Sequence, residues 1–197
     1  MNEQLWWFVA RASGIVALVI LSLAVIWGLL YSTRLLGGKP TPKWLLDLHR
    51  FLGGLAVLFT AVHLGALVAD NFVHFGVAEV LLPFAAEWQP GAVAWGIVAL
   101  YLLLTVEVTS LAMRRLPRRL WRAVHTTSWV LFWLAVVHGA TAGTDAGNVA
   151  YITVSLTAVT LVLFLTIVRM LTSRQVRKAF PAARPVESRS QVAATAL

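Results

Sequence analysis

Five stretches of this 197-residue chain, at 7–31, 45–69, 91–113, 120–141 and 149–171, are mainly apolar for 20 residues or more. A helix needs about 20 such residues to cross the hydrocarbon core of a bilayer. Lipid offers the backbone no hydrogen-bond partner, so each stretch is expected to be helical. The predicted fold class is therefore all-α, an integral membrane helical bundle with five transmembrane helices. The first stretch lacks a basic leader and is too long for a signal peptide, so it is read as a retained span. Composition agrees: 59% of residues are hydrophobic and 12% charged, where a soluble domain has roughly half and a quarter. Soluble enzymes, disordered chains and nucleic-acid modules are excluded on that ground, despite the net charge of +8.

The charges sort by connection. Arg34, Lys39 and Lys43 occupy the first loop, and Arg114, Arg115, Arg118, Arg119 and Arg122 crowd the third. Arg174, Arg177, Lys178, Arg184 and Arg189 lie in the tail. The alternate side holds Glu3, Asp70, Glu79, Glu87 and Asp145, with Arg11 as its one base. The positive-inside rule then predicts the N-terminus outside and the C-terminus in the cytoplasm of a multi-pass plasma or inner cell-membrane protein. Trp6, Trp7 and Trp88 suit the outer interface, and Trp44 and Trp121 the inner one. Pro40 and Pro42, and Pro117 beside Arg118, mark tight inner turns. The longer outer loop, 70–90, is expected to carry a short interfacial helix around 74–82. Two regions result: a membrane domain over 1–171, and a basic tail over 172–197 expected to be disordered and drawn to anionic membrane lipid.

Ionisable residues inside spans are expensive and usually functional. His49 and His63 lie on the second span, His125 and His138 on the fourth, and no other span carries a histidine. Both spans run the same way through the membrane, so His49 and His125 share an inner depth and His63 and His138 an outer one. Separations of 14 and 13 residues are about 20 Å along a helix axis. One metal cannot bridge that distance, whereas two metals, each taking one imidazole from each helix, fit. Zero cysteines exclude thiolate sites, iron–sulfur clusters and covalently attached c-type haem. Zinc would want more protein ligands than the spans offer. Paired imidazoles facing across a gap suit six-coordinate haem iron.

Gly53, Gly54, Ala56, Thr60, Ala61 and Gly65 on span two, with Ala123, Ala135 and Gly139 on span four, are expected to leave room for a flat macrocycle. Small residues also serve plain helix packing. Arg50 and Arg122 stand beside the inner histidines as candidate partners of haem propionates, with topology as the competing explanation. Arg11 is the candidate for outer propionates or an anionic acceptor, or else an arginine that snorkels. Phe59, Trp129, Phe132 and Trp133 fall between the two levels, where packing is the commoner role. Glu107, the one acid well inside a span, is expected to pair with Arg114 or another base, with quinol proton acceptance as the alternative. His74, in the outer loop, is expected to be structural. Fourteen residues return a helix to nearly the same face, but 13 leave it about 140° off. Span four must therefore bend, hold a π-bulge, or present its histidines at different azimuths.

The pairs His49…His63 and His125…His138, on co-directional spans, resemble the signature of the ferric reductase-like transmembrane superfamily. That group includes ferric-chelate reductases, NADPH oxidases and the haem subunit of a periplasmic methionine sulfoxide reductase system. The resemblance covers about 7–171. It implies two haem b groups, an inner one on His49 and His125 and an outer one on His63 and His138. It also implies electron flow from a cytoplasmic-side donor to an outside acceptor. Family members commonly have six helices, so one fewer is expected here. No Gly-x-Gly-x-x-Gly fingerprint is present, so FAD is expected only on a partner, with a cytoplasmic flavoprotein reductase or membrane quinol as donor. An extracytoplasmic acceptor protein or ferric complex is the expected sink. The reading is thus the haem subunit of a transmembrane oxidoreductase. The alternative is a cytochrome b membrane anchor, quinone-linked, without full transmembrane transfer.

Overall fold

The computed structural model describes residues 4–33, 43–70 and 75–179, with side chains to 172. Arg34, Lys39, Pro40, Pro42, His74 and the tail beyond 179 lie outside the described residues. The elements are α1 (Leu5–Thr33), α2 (Lys43–Ala69), α3 (Val77–Leu81), α4 (Pro90–Leu111), α5 (Arg118–Thr126), α6 (Ser128–Ala142) and α7 (Val149–Ala179). All described secondary structure is helical. Five spans are long and apolar enough to cross a membrane: α1, α2, α4, α5 with α6, and α7 as far as Thr172. Many large apolar side chains face outward, Phe164 59% exposed and Val108 61%. Such a surface suits lipid rather than water.

Local chemistry explains several boundaries. Pro90 sits in the first turn of α4, where its missing N–H loses nothing. The Asn148 side chain accepts hydrogen bonds from the Ala150 and Tyr151 backbone N–H groups at 2.9 and 3.4 Å and so starts α7. The interfacial helix expected around 74–82 is realised as the single turn of α3. Phe75, Val80 and Ala86 pack it against Val93 and Ile97 of α4. α7 continues past 171 and ends at Ala179.

The helix of span four is interrupted at Thr127, between its two histidines. The Thr127 N–H turns back to the Val124 carbonyl at 2.9 Å, and its hydroxyl donates to the same oxygen at 2.7 Å. Hydroxyl back-bonding with a tightened i→i−3 turn is a recognised cause of helix bending. It separates α5 from α6.

α1 is the hub, packed on α2, α6 and α7, while α4 packs chiefly on α6. The mid-depth core is aliphatic: Leu21, Ala56, Ala99, Leu103 and Leu131. Two ends can be named by their charge. The basic end carries Lys43, Arg114, Arg115, Arg118, Arg119 and Arg122. The acidic end carries Asp70, Glu79, Glu87 and Asp145. There Arg11 on α1 is bound through Nη2 and through Nε (2.9 Å) to the Asp145 carboxylate. Its guanidinium also lies 4.0 Å from the centroid of the Trp7 ring.

Candidate functional site

Seven-residue steps come back to nearly one helix face. His49, Ala56, His63 and Asp70 therefore form one stripe along α2. This stripe and the inward face of α6 enclose the site, and α1 and α4 hold the histidines from behind.

Each imidazole is bonded at Nδ1. The His63 Nδ1–H donates to the Ala10 carbonyl at 2.7 Å and that of His49 to the Ala24 carbonyl at 3.1 Å, both on α1. The His138 Nδ1–H donates to the Ala92 carbonyl on α4 at 2.8 Å. A carbonyl can only accept, so these contacts fix the tautomer and leave Nε2 with its lone pair free. His125 is held by the Ser110 hydroxyl of α4 at 3.3 Å. No hydrogen bond reaches Nε2 of any of the four among the described residues.

Three rings also rest on a glycine of the bracing helix. A Cβ added to Gly96 would stand 2.7 Å from the His138 ring, one on Gly14 2.9 Å from His63, and one on Gly28 3.2 Å from His49. Ala10 and Ala24, Gly14 and Gly28, and Gly96 and Ser110 are each 14 residues apart. The bracing helices repeat the spacing of the histidines on α2, in antiparallel order.

The four side chains gather in two pairs. At the basic end the His49 and His125 ring centroids are 5.9 Å apart at 74°. A metal–imidazole bond of about 2.0–2.1 Å puts two rings on opposite sides of one metal roughly 6 Å apart between centroids. Trp121 stacks on His125, centroids 5.0 Å apart at 21°, and its buried Nε1–H has no hydrogen-bond acceptor among the described residues. At the acidic end His63 and His138 line one cavity of about 1220 Å³, with Gly14, Ala56, Thr60, Gly96, Ala135 and Gly139. Drug-sized ligands occupy roughly 300–1,000 Å³, so a flat macrocycle fits. Asp70, 4% exposed, also lines this cavity, and its Oδ1 has no partner among the described residues.

These features fit haem b and fit zinc poorly. Among the described residues no three His, Asp or Glu side chains converge, so no four-coordinate protein ligand set is on offer. Interhelical hydrogen bonds in membranes average only about 0.6 kcal/mol. As stabilisers, four of them do little to offset four imidazoles in hydrocarbon; as orienters of Nε2 they fix ring rotation, and the three to carbonyls fix the tautomer as well.

The remaining candidate residues divide between the cavity and other surroundings. Gly54 and Gly65 have nothing within 4 Å of an added Cβ and do not line the cavity; they stand on the α2 face away from the histidines. Gly53 faces Glu107 instead. Glu107 forms no ion pair among the described residues, with Arg114 or any other base. Arg50 reaches Asp47 at 3.7 Å and the Met113 sulfur at 3.9 Å. Arg122 is exposed on α5 and has no ion pair among the described residues. Arg11 lines the acidic-end cavity, but Asp145 already balances its charge. Phe132 packs fully buried against Leu29, Val162 and Leu165 of α1 and α7, away from the gap between the pairs, which Leu21, Ala56 and Leu131 fill.

No curated protein and no solved structure shows a significant match to this chain. A family model described as ferric reductase like transmembrane component matches residues 13–137. The matched stretch holds His49, His63, His125 and all three glycine cradles, and it stops one residue before His138. With more than half of its length matched, the chain belongs to the ferric reductase-like transmembrane family.

Proposed function

We propose that this chain holds two haem b groups, one between His49 and His125 and one between His63 and His138, and passes electrons across the membrane. The observation that carries this is the common state of the four imidazoles: Nδ1 engaged, Nε2 free, in two pairs about 20 Å apart along the helices. Bound haem would supply a one-electron iron couple at each level. His49, His63, His125 and His138 would hold the two groups. The carbonyls of Ala10, Ala24 and Ala92 orient three of them, and Gly14, Gly28 and Gly96 set how closely the bracing helices approach. Leu21, Ala56, Ala99, Leu103 and Leu131 keep water out of the middle.

By the positive-inside rule the basic end faces the cytoplasm and the N-terminus lies outside. An electron moving outward across a membrane negative inside gains about 2.3 kcal/mol per 100 mV. The donor we assign is a flavoprotein or a membrane quinol at the basic end. Arg50 and Arg122 are the propionate partners we assign there, with Trp121 Nε1–H as a further unpaired donor. Arg11 stands at the acidic end, where an extracytoplasmic acceptor protein or ferric complex would be reduced.

The test is a pyridine haemochrome assay on protein purified with haem supplied. Two haem b per polypeptide is the expected count, and reduction of both from the basic side is expected in vesicles. A chain without a Soret band would overturn the reading.

A further inference from the structure

Three of the four imidazoles are braced alike, and the fourth is not. His49, His63 and His138 each donate Nδ1–H to a main-chain carbonyl at 2.7–3.1 Å, over a glycine. His125 meets a side-chain hydroxyl, Ser110 Oγ, at 3.3 Å. Its ring is steadied by the face of Trp121 rather than by a glycine cradle.

The difference is chemical as well as geometric. A helix carbonyl is a fixed acceptor. A serine hydroxyl rotates, both donates and accepts, and at 3.3 Å lies beyond the usual hydrogen-bond range of about 2.7–3.2 Å. The bond at the remote ring nitrogen governs how strongly an imidazole donates to its metal, and outer hydrogen bonds are among the levers that set a haem potential. A weaker acceptor at Nδ1 leaves a poorer donor at Nε2, which favours the reduced metal.

We infer that Ser110 is a positioning residue that sets the reduction potential of the His49–His125 site through Nδ1 of His125. The inference rests on the dihaem reading above. It singles out one of the two sites, because the Nδ1–H groups of His63 and His138 are held by carbonyls that no side-chain substitution removes.

The experiment is an equilibrium redox titration of the dihaem protein and of Ser110→Ala, Ser110→Thr and Ser110→Cys, following the α-bands. Ser110→Ala should raise the reduced-to-oxidised ratio of one haem about tenfold at fixed poise, which is ~59 mV for a one-electron couple. The other haem should stay put. Ser110→Thr, which keeps the hydroxyl, should titrate like the parent protein. Repeating Ser110→Ala in His63→Ala, where only the basic-end haem remains, should preserve the shift; in His49→Ala it should vanish. Should Ser110→Ala fail to load its basic-end haem, Ser110→Cys carries the test: its weaker acceptor must shift the same haem in the same direction by a smaller factor. Two bound haems with neither moved, or both moved equally, would overturn the role of Ser110 while leaving the dihaem reading intact. No haem in the parent protein would overturn that reading instead.

Discussion

Alanine in place of any one of the four histidines is expected to lower the haem count from two to one, and which haem is lost depends on the end. His49→Ala and His125→Ala should empty the basic-end site, and His63→Ala and His138→Ala the acidic-end site. The sites should behave independently. They lie about 20 Å apart along the helices, and between them is a tightly filled aliphatic layer with Ala56 1% and Leu131 2% exposed. Loss of an outer-shell partner alone commonly costs 10–100-fold in metal affinity, so loss of the ligand should cost at least that. Haemochrome counts on the four variants check the pairing. A variant set in which one substitution removes both haems, or none, contradicts it. The same variants separate full transmembrane transfer from the membrane-anchor alternative. If electrons cross the bilayer, all four abolish reduction of an outside acceptor. If the chain is only a docking cytochrome, His63→Ala and His138→Ala spare activity while the other two do not.

Much of this arrangement was legible in the sequence, because the hydrocarbon core makes few demands and makes them strictly. An apolar run of sufficient length has to be a helix, and α1, α2 and α4 start and stop within a few residues of the expected limits, while α7 starts at the expected residue and runs on to Ala179. Four histidines on two spans could be placed by depth from numbering alone, and the His49–His125 pairing follows. The break at Thr127 is legible in the sequence only as a discrepancy: 13 residues do not return to one face. A threonine that bonds its own helix looks like any other threonine until the backbone turns.

The bracing helices escaped notice for another reason. Gly14 and Gly28 repeat the 14-residue interval of His49 and His63, and Gly96 and Ser110 repeat it on α4. Small residues are common in membrane helices for packing alone, so nothing in the sequence sets these glycines apart from those beside the histidines. The relevant ones face them from another helix, Gly14 under His63 and Gly28 under His49, 49 and 21 residues away in numbering. Arg11 and Asp145 are 134 residues apart, and no local pattern links them. Glu107 resists the charge-pairing rule altogether.

The glycine cradles yield the second large effect. Gly96→Ala is expected to strip the acidic-end haem. The new Cβ would lie 2.7 Å from both Cε1 and Nδ1 of His138, a separation real Cβ atoms do not tolerate, so something must move. The ring cannot retreat without giving up the 2.8 Å bond to the Ala92 carbonyl, and that bond fixes the direction of Nε2. Overpacking of this kind costs about 1–3 kcal/mol, which at 1.36 kcal/mol per decade is roughly 5–150-fold in occupancy. Gly14→Ala, at 2.9 Å from His63, should act on the same haem nearly as strongly. Gly28→Ala, at 3.2 Å from the His49 ring, should weaken the basic-end haem less. Alanine is the better helix former by about 1 kcal/mol, so a loss of haem in these variants cannot be laid to a weakened helix. Gly54→Ala and Gly65→Ala make the same chemical change where an added methyl meets nothing within 4 Å, and both should keep two haems. Haem per polypeptide and the Soret intensity across the five variants decide the matter. Equal losses at Gly54 and Gly96, or none at Gly96, would mean that the bracing helices do not set the histidines.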